Sequence, residues 1–151
     1  MTITIRDAVP EDVTAIALYN AAMALETEVK ALDLEVLTAG VRSLLEDDNR
    51  GRYWVAESDG NPIGQVMITR EWSDWRNAWF WWLQSVYIAP DFRRRGMFRA
   101  LYEHVREQAQ RADACGLRLY GEHDNQSAAD TYRALGMVDA GYAMLELTLD
   151  D

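Results

Sequence analysis

Twelve residues near the middle of the chain, "AWFWWLQSVYIA" at 78 to 89, are mostly aromatic or β-branched. Side chains alternate between faces along a strand, and at the centre of this run both faces are apolar. That pattern predicts an inner strand of a sheet covered on both sides. After Pro90, "GMFRALYEHVREQAQRADA" places Met97, Leu101, Val105 and Ala109 at helical spacing. "GLRLYGE" then returns to a strand pattern. A strand–helix–strand crossover over residues 79 to 122 is therefore expected, parallel and right-handed.

The rest of the chain supplies partners for that strand. "TITIRDA" reads as a strand, followed by a helix from Pro10 to about Met23 that buries Val13, Ile16 and Ala17. "ETEVKALD" interrupts the pattern, and Asp33 caps a second helix carrying Leu34, Leu37, Val41, Leu44 and Leu45. "RYWVAES" and "IGQVMITREW" flank the turn "DGNP"; "QSAADTYRAL" is a helix ended by Gly136, and "YAMLELTL" a last strand. The order β-α-α-β-β-β-α-β-α-β describes a mixed sheet with helices on its faces. A length of 151 residues suits one domain.

Composition narrows the function. The net charge of −10 argues against a nucleic-acid surface. No apolar stretch approaches the roughly 20 residues of a membrane helix, and the start lacks the regions of a secretory signal. Cys115, the single cysteine, has no internal disulfide partner and reads as a buried thiol near a helix end. A cytoplasmic location is expected.

Against this acidity, Arg93, Arg94 and Arg95 stand together before Gly96, where the central strand ends and the helix begins. A solvated charge run is one reading. The other is a pyrophosphate cradle: a helix N-terminus offers unpaired N–H groups, glycine lets a ligand approach, and arginines add charge-assisted hydrogen bonds.

"VYIAPDFRRRGMFRAL" resembles the acetyl-CoA-binding motif of the GCN5-related N-acetyltransferases, with Arg93-x-x-Gly96-x-Phe98 in place of the family's Gln/Arg-x-x-Gly-x-Gly/Ala. Phe98 departs from that pattern, where a small residue is usual. The downstream block "LRLYGEHDNQSAADTYRALGM" is similar to the family's strand, asparagine and tyrosine-bearing helix. The resemblance implies an α+β fold with a mostly antiparallel sheet over residues 1–151, and acetyl-CoA as co-substrate without a metal. By the same resemblance, backbone groups of Val86, Tyr87 and Ile88 hold the pantetheine arm. Groups of Arg93, Arg94, Arg95, Gly96, Met97 and Phe98 form the phosphate turn. Asn125 contacts pantetheine and Tyr132 faces the thiol. A phenol there would protonate the leaving thiolate. Read from the residues alone, Tyr132 packs on the core and Asn125 is a turn or cap.

The acceptor of the acetyl group is expected to be the primary amine of a small molecule, cationic ones included. Many relatives place a glutamate on the fourth strand as base. Here that strand has Gln84 and Ser85 at its middle; neither is a base near neutral pH, and both are expected on the substrate, orienting a water or the acceptor amine. The proton must go elsewhere, or the amine must arrive neutral. Glu26 and Glu28, in the loop between the first two helices, and Glu71 and Asp74 are the candidate acceptors of that proton, Glu26 or Glu28 foremost, with His123 as a relay; each carboxylate read singly is a solvated surface group. Glu71, Trp72, Asp74 and Trp75 are expected on the acceptor side, aromatic faces beside carboxylates suiting a cation. Most tryptophans belong to the core or to a dimer surface, so a homodimer is one assembly open to the chain. The missing strand carboxylate leaves a second class open, a silent acyl-CoA sensor or interaction module.

Overall fold

A computed structural model describes residues 2–121 and 126–149, apart from the side chain of Gln126. The chain divides into two compact units, Met1–Leu119 and Tyr120–Asp151. The first contains β1 (Ile3–Asp7), α1 (Val13–Glu28), α2 (Leu34–Glu46), β2 (Arg52–Ser58), β3 (Asn61–Ser73), β4 (Ala78–Ile88), α3 (Met97–Arg111) and β5 (Gly116–Arg118). Single tighter turns at Pro10–Asp12 and Pro90–Phe92 lead towards α1 and α3. The second unit contains α4 (Gln126–Ala134).

The strands lie side by side in chain order. β1 to β4 pair antiparallel, and β5 runs parallel to β4, as the crossover requires. Alternation along β2 sorts two cores. Tyr53 and Val55 join Val13, Ile16 and Ala17 of α1 and Val41 of α2. Trp54, between them in sequence, stacks on Trp81 of β4 at 6.2 Å and meets His104 of α3 edge-on at 5.5 Å. Leu101 and Val105 of α3 are fully buried. Each such side chain contributes about 1.5–3 kcal/mol by leaving water. β4 is the inner strand its composition predicts, with Phe80, Trp81, Leu83, Tyr87 and Ile88 buried.

Four expectations are corrected. α1 continues past Met23 to Glu28, so Glu26 and Glu28 belong to its last turn and not to a loop. The helix stops where Val29 turns left-handed at φ 53° and the Lys30 N–H closes on the Ala24 carbonyl. β5 is confined to three residues, Gly116–Arg118. The last strand is not among the five of the described sheet: residues 142–149 lie outside it, and Tyr142, Met144, Leu145, Leu147 and Leu149 are exposed. Alternation sets a preference for extended chain, whereas a ladder needs a neighbour that local sequence does not specify. Cys115 is exposed, lying beyond the apolar stripe of α3 in the link to β5, where its N–H donates to the Trp79 carbonyl at 2.9 Å. Asp33 caps α2 as expected, Oδ1 accepting from the N–H groups of Glu35 and Val36. Among the described residues no helix is long and apolar enough to cross a membrane.

Candidate active site

β4 carries one more residue than β3 opposite Val66: Gln65 pairs with Tyr87 and Met67 with Gln84, so Ser85 and Val86 share one position. This is a β-bulge, which bends and twists the strand that bears it. Ser85 takes a left-handed conformation at φ 51°, which costs a non-glycine residue roughly 1–2 kcal/mol. Buried amides hold it there. Gln65, wholly buried, donates from Nε2 to the Ser85 carbonyl at 3.2 Å and to Asn20 Oδ1 at 2.8 Å. Asn20 in turn donates to the Tyr53 hydroxyl at 2.9 Å. The hydroxyl also shares a hydrogen bond with the Ser85 side chain, and burial raises its pKa.

The bulge has a consequence on the other side of β4. The ladder to β5 consists of Phe80, Trp81 and Trp82 against Gly116, Leu117 and Arg118. β4 continues to Ile88, and among the described residues β5 pairs with it only as far as Trp82. From Leu83 to Ile88 the strand pairs with β3 on one side, the carbonyls of Ser85 and Ile88 are taken by Gln65 and Arg93, and its β5 side has no described ladder. A second extended chain can add to it as a strand would. Glu71 closes the paired end, Oε1 accepting from Trp82 Nε1 at 3.0 Å and from Arg118 Nη1 at 2.9 Å.

That stretch leads into the arginine turn. Ala89 is tied to β3 through its N–H and the Ile63 carbonyl at 2.8 Å. Arg94 and Gly96 are both left-handed, at φ 62° and 77°. Gly96 occupies the N-cap of α3 and makes no side-chain cap hydrogen bond, so the helix starts on a bare backbone turn. A Cβ on Gly96 would touch nothing within 4 Å, so the glycine serves the backbone angle and not packing.

The three arginines are not equivalent. Arg93 turns back along the fold: Nε donates to the Ile88 carbonyl at 2.8 Å, and Nη2 reaches Glu26 Oε1 at 3.0 Å. Its guanidinium lies over the Tyr87 ring at 5.1 Å, and the Tyr87 hydroxyl donates to Glu26 Oε2. The Tyr87 hydrogen bond, with help from Arg93, holds the Glu26 carboxyl below its usual range although partial burial opposes this. Arg95 stacks over Phe92 at 5.6 Å.

The other expected residues fall into separate places. Glu28 lies two residues beyond Glu26, within 3.5 Å of Lys30. Gln84 donates to Thr69 Oγ1 at 2.6 Å, so its amide is held on β3. Trp72 meets Trp79 edge-on at 5.0 Å, and both are half exposed near the β3–β4 hairpin that carries Asp74 and the exposed Trp75. In the second unit, burial raises the pKa of Tyr132, so its phenol keeps its proton at neutral pH. Asn125 and His123 lie outside the described residues. No cluster suited to a metal ion occurs among the described residues.

The buried amides were missed in the sequence. Their signal is present there: Gln65 interrupts the apolar run "IGQVMI", and Asn20 falls on the buried stripe of α1, four residues from Ile16. Two amides on faces bound for the same core must satisfy each other.

Comparison with known proteins bears on the same features. Residues 11–137 match the family model described as "Acetyltransferase (GNAT) family". The crystal structure of a possible acetyltransferase from Clostridium difficile 630 is 40 % identical, with a TM-score of 0.93 over 100 % of both chains. A predicted acetyltransferase from Clostridium acetobutylicum, solved with acetyl-CoA, shares the fold at a TM-score of 0.82 and 18 % identity, over 98 % of this chain and 97 % of that one. An uncharacterized N-acetyltransferase of Methanocaldococcus jannaschii is 29 % identical over 94 residues, which span 62 % of this chain and 41 % of that relative.

Replacing Gln65 with Met keeps the volume and removes the amide, leaving the Ser85 carbonyl and Asn20 Oδ1 without that donor. Each orphaned buried group costs about 1–3 kcal/mol. Urea unfolding of Gln65→Met is expected to show a loss in that range or above; an unchanged midpoint would mean the bulge stands without it.

Proposed function

The chain belongs to the acetyltransferase (GNAT) family, and on that premise we propose that it transfers an acetyl group from acetyl-CoA to the primary amine of a small acceptor. The observation that carries this reading is the bulged end of β4 past its last described pairing with β5, running into a glycine-started helix without a side-chain cap. Val86, Tyr87 and Ile88 would pair with the amides of the pantetheine arm as a neighbouring strand does. The N-terminus of α3, with its positive dipole end at Gly96 and the charges of Arg94 and Arg95, would take the pyrophosphate. The thioester then lies towards the bulge at Ser85 and Val86. There the acceptor nitrogen forms its bond to the acetyl carbon, and the carbon–sulfur bond breaks to release a thiolate. By the family resemblance Tyr132 would donate its phenol proton to that sulfur and regain one through solvent from the acylated nitrogen, which must release a proton to become the amide.

The attacking amine must be neutral. Glu26 and Glu71 are both engaged with arginines, and Gln84 and Ser85 are not bases at neutral pH. In this reading the amine loses its proton to water, and Glu28 and Asp74 serve only to draw a cation near. A binding-only sensor is the second reading, favoured by the absence of a carboxylate or imidazole from 78 to 89.

Free-thiol release from acetyl-CoA across a panel of amines separates these readings. Turnover is expected with at least one amine, falling roughly 100-fold in Tyr132→Phe, which keeps the ring. CoA binding without thiol release for any amine would support the sensor.

The pH dependence tests the proton route. With water as acceptor, kcat/KM rises with pH until the amine's own pKa, and moves when the amine is changed. Glu28→Gln should raise KM for a cationic amine without displacing that profile. An inflection near pH 5–7 that ignores the amine and vanishes in Glu28→Gln would identify an enzymic base instead.

A further inference from the structure

The arginine turn is a poor candidate for holding itself in shape. Within three residues it has two left-handed positions, Arg94 and Gly96, and α3 begins without a side-chain cap. Two of its ties to the rest of the fold are the Ala89 N–H on β3 and the side chain of Arg93. That side chain is part of a closed set. Glu26 accepts from Tyr87 with one carboxylate oxygen and from Arg93 with the other, while Arg93 covers the Tyr87 ring. Tyr19 packs on Tyr87 at 5.3 Å and anchors to the Pro62 carbonyl at 2.7 Å, so the far wall of the set is fixed to β3. Tyr19 and Glu26 lie seven residues apart on one face of α1, two turns along the helix.

We propose that Glu26 is a positioning residue for the cofactor turn: with Tyr87 it clamps Arg93, and so sets the geometry of residues 93–98 that receives phosphate. Arg93 is then a structural cation, its charge answered by Glu26, and the phosphates meet Arg94, Arg95 and the helix N–H groups. The inference rests on the acetyl-CoA reading above and assigns to Glu26 a role other than proton transfer.

The sign of the effect makes the proposal testable. Glu26→Gln removes a negative charge near a polyanion's site. If charge alone mattered, the variant would bind CoA more tightly. A clamp predicts the reverse: calorimetry with CoA should show binding weakened by about 5- to 20-fold, with KM for acetyl-CoA raised in parallel. The kcat at saturating acetyl-CoA and the position of the pH–rate profile should stay within twofold and a few tenths of a unit. Arg93→Met should weaken CoA similarly, and adding Glu26→Gln to it should cost little more, since one clamp is lost only once. Should Glu26→Gln lower the melting temperature severely, Tyr87→Phe gives the same test, removing one donor to Glu26 and keeping the ring. Tighter or unchanged CoA binding in these variants overturns the proposal, as does a loss of kcat with an altered pH profile. Wild-type protein that does not bind CoA at all would instead overturn the acetyl-CoA reading.

Discussion

One amide holds the strand that matters in a shape it would not otherwise keep. Gln65 Nε2 reaches the carbonyl of Ser85 and the side chain of Asn20 together, joining β3, the bulge of β4 and helix α1. A left-handed serine in the middle of a strand is unfavourable by itself. Held there, it bends and twists β4 beyond its last described pairing with β5. In the proposed reading the β5 side of that stretch takes the cofactor, and the buried amides that keep the bulge carry a desolvation cost of their own.

The same strand explains three adjacent arginines in a chain of net charge −10. They occupy one turn and do two things. Arg93 folds back on Ile88, Tyr87 and Glu26 and serves the architecture. Arg94 stands at a left-handed position beside the start of α3, and Arg95 follows it. A run of like charges is unfavourable unless anions answer it. Glu26 answers the first, and a phosphate group at the helix N-terminus would answer the others.

Much of this was legible in the sequence, for reasons that differ by residue. β4 announced itself because burial on both faces needs apolar side chains at successive positions. α3 did so because Met97, Leu101, Val105 and Ala109 repeat at helical spacing. The Gly96 turn was legible because few residues accept φ 77°. The Glu26–Arg93 pair was not, since its members are 67 residues apart and nothing local links them. Glu71 reads as an acceptor-side carboxylate, and its ion pair with Arg118, 47 residues away, was equally hidden from the local sequence. The extent of α1 was misjudged because "ETEV" mixes charge with apolar residues, yet helix formation tolerates Glu and Thr until the backbone turns at Val29. The 142–149 segment, outside the five described strands, shows the same limit: a two-residue period is local and a ladder is not.

The proposed site joins the bulged end of β4 and the turn after it in taking one extended, phosphate-bearing ligand. Amide hydrogen exchange followed by mass spectrometry, with and without CoA, tests it most directly. Peptides covering residues 83–88 and 94–98 should gain protection together on adding CoA, because one ligand pairs with the strand and caps the helix. Protection absent from both segments while CoA is bound, or confined to another part of the chain, would contradict the account.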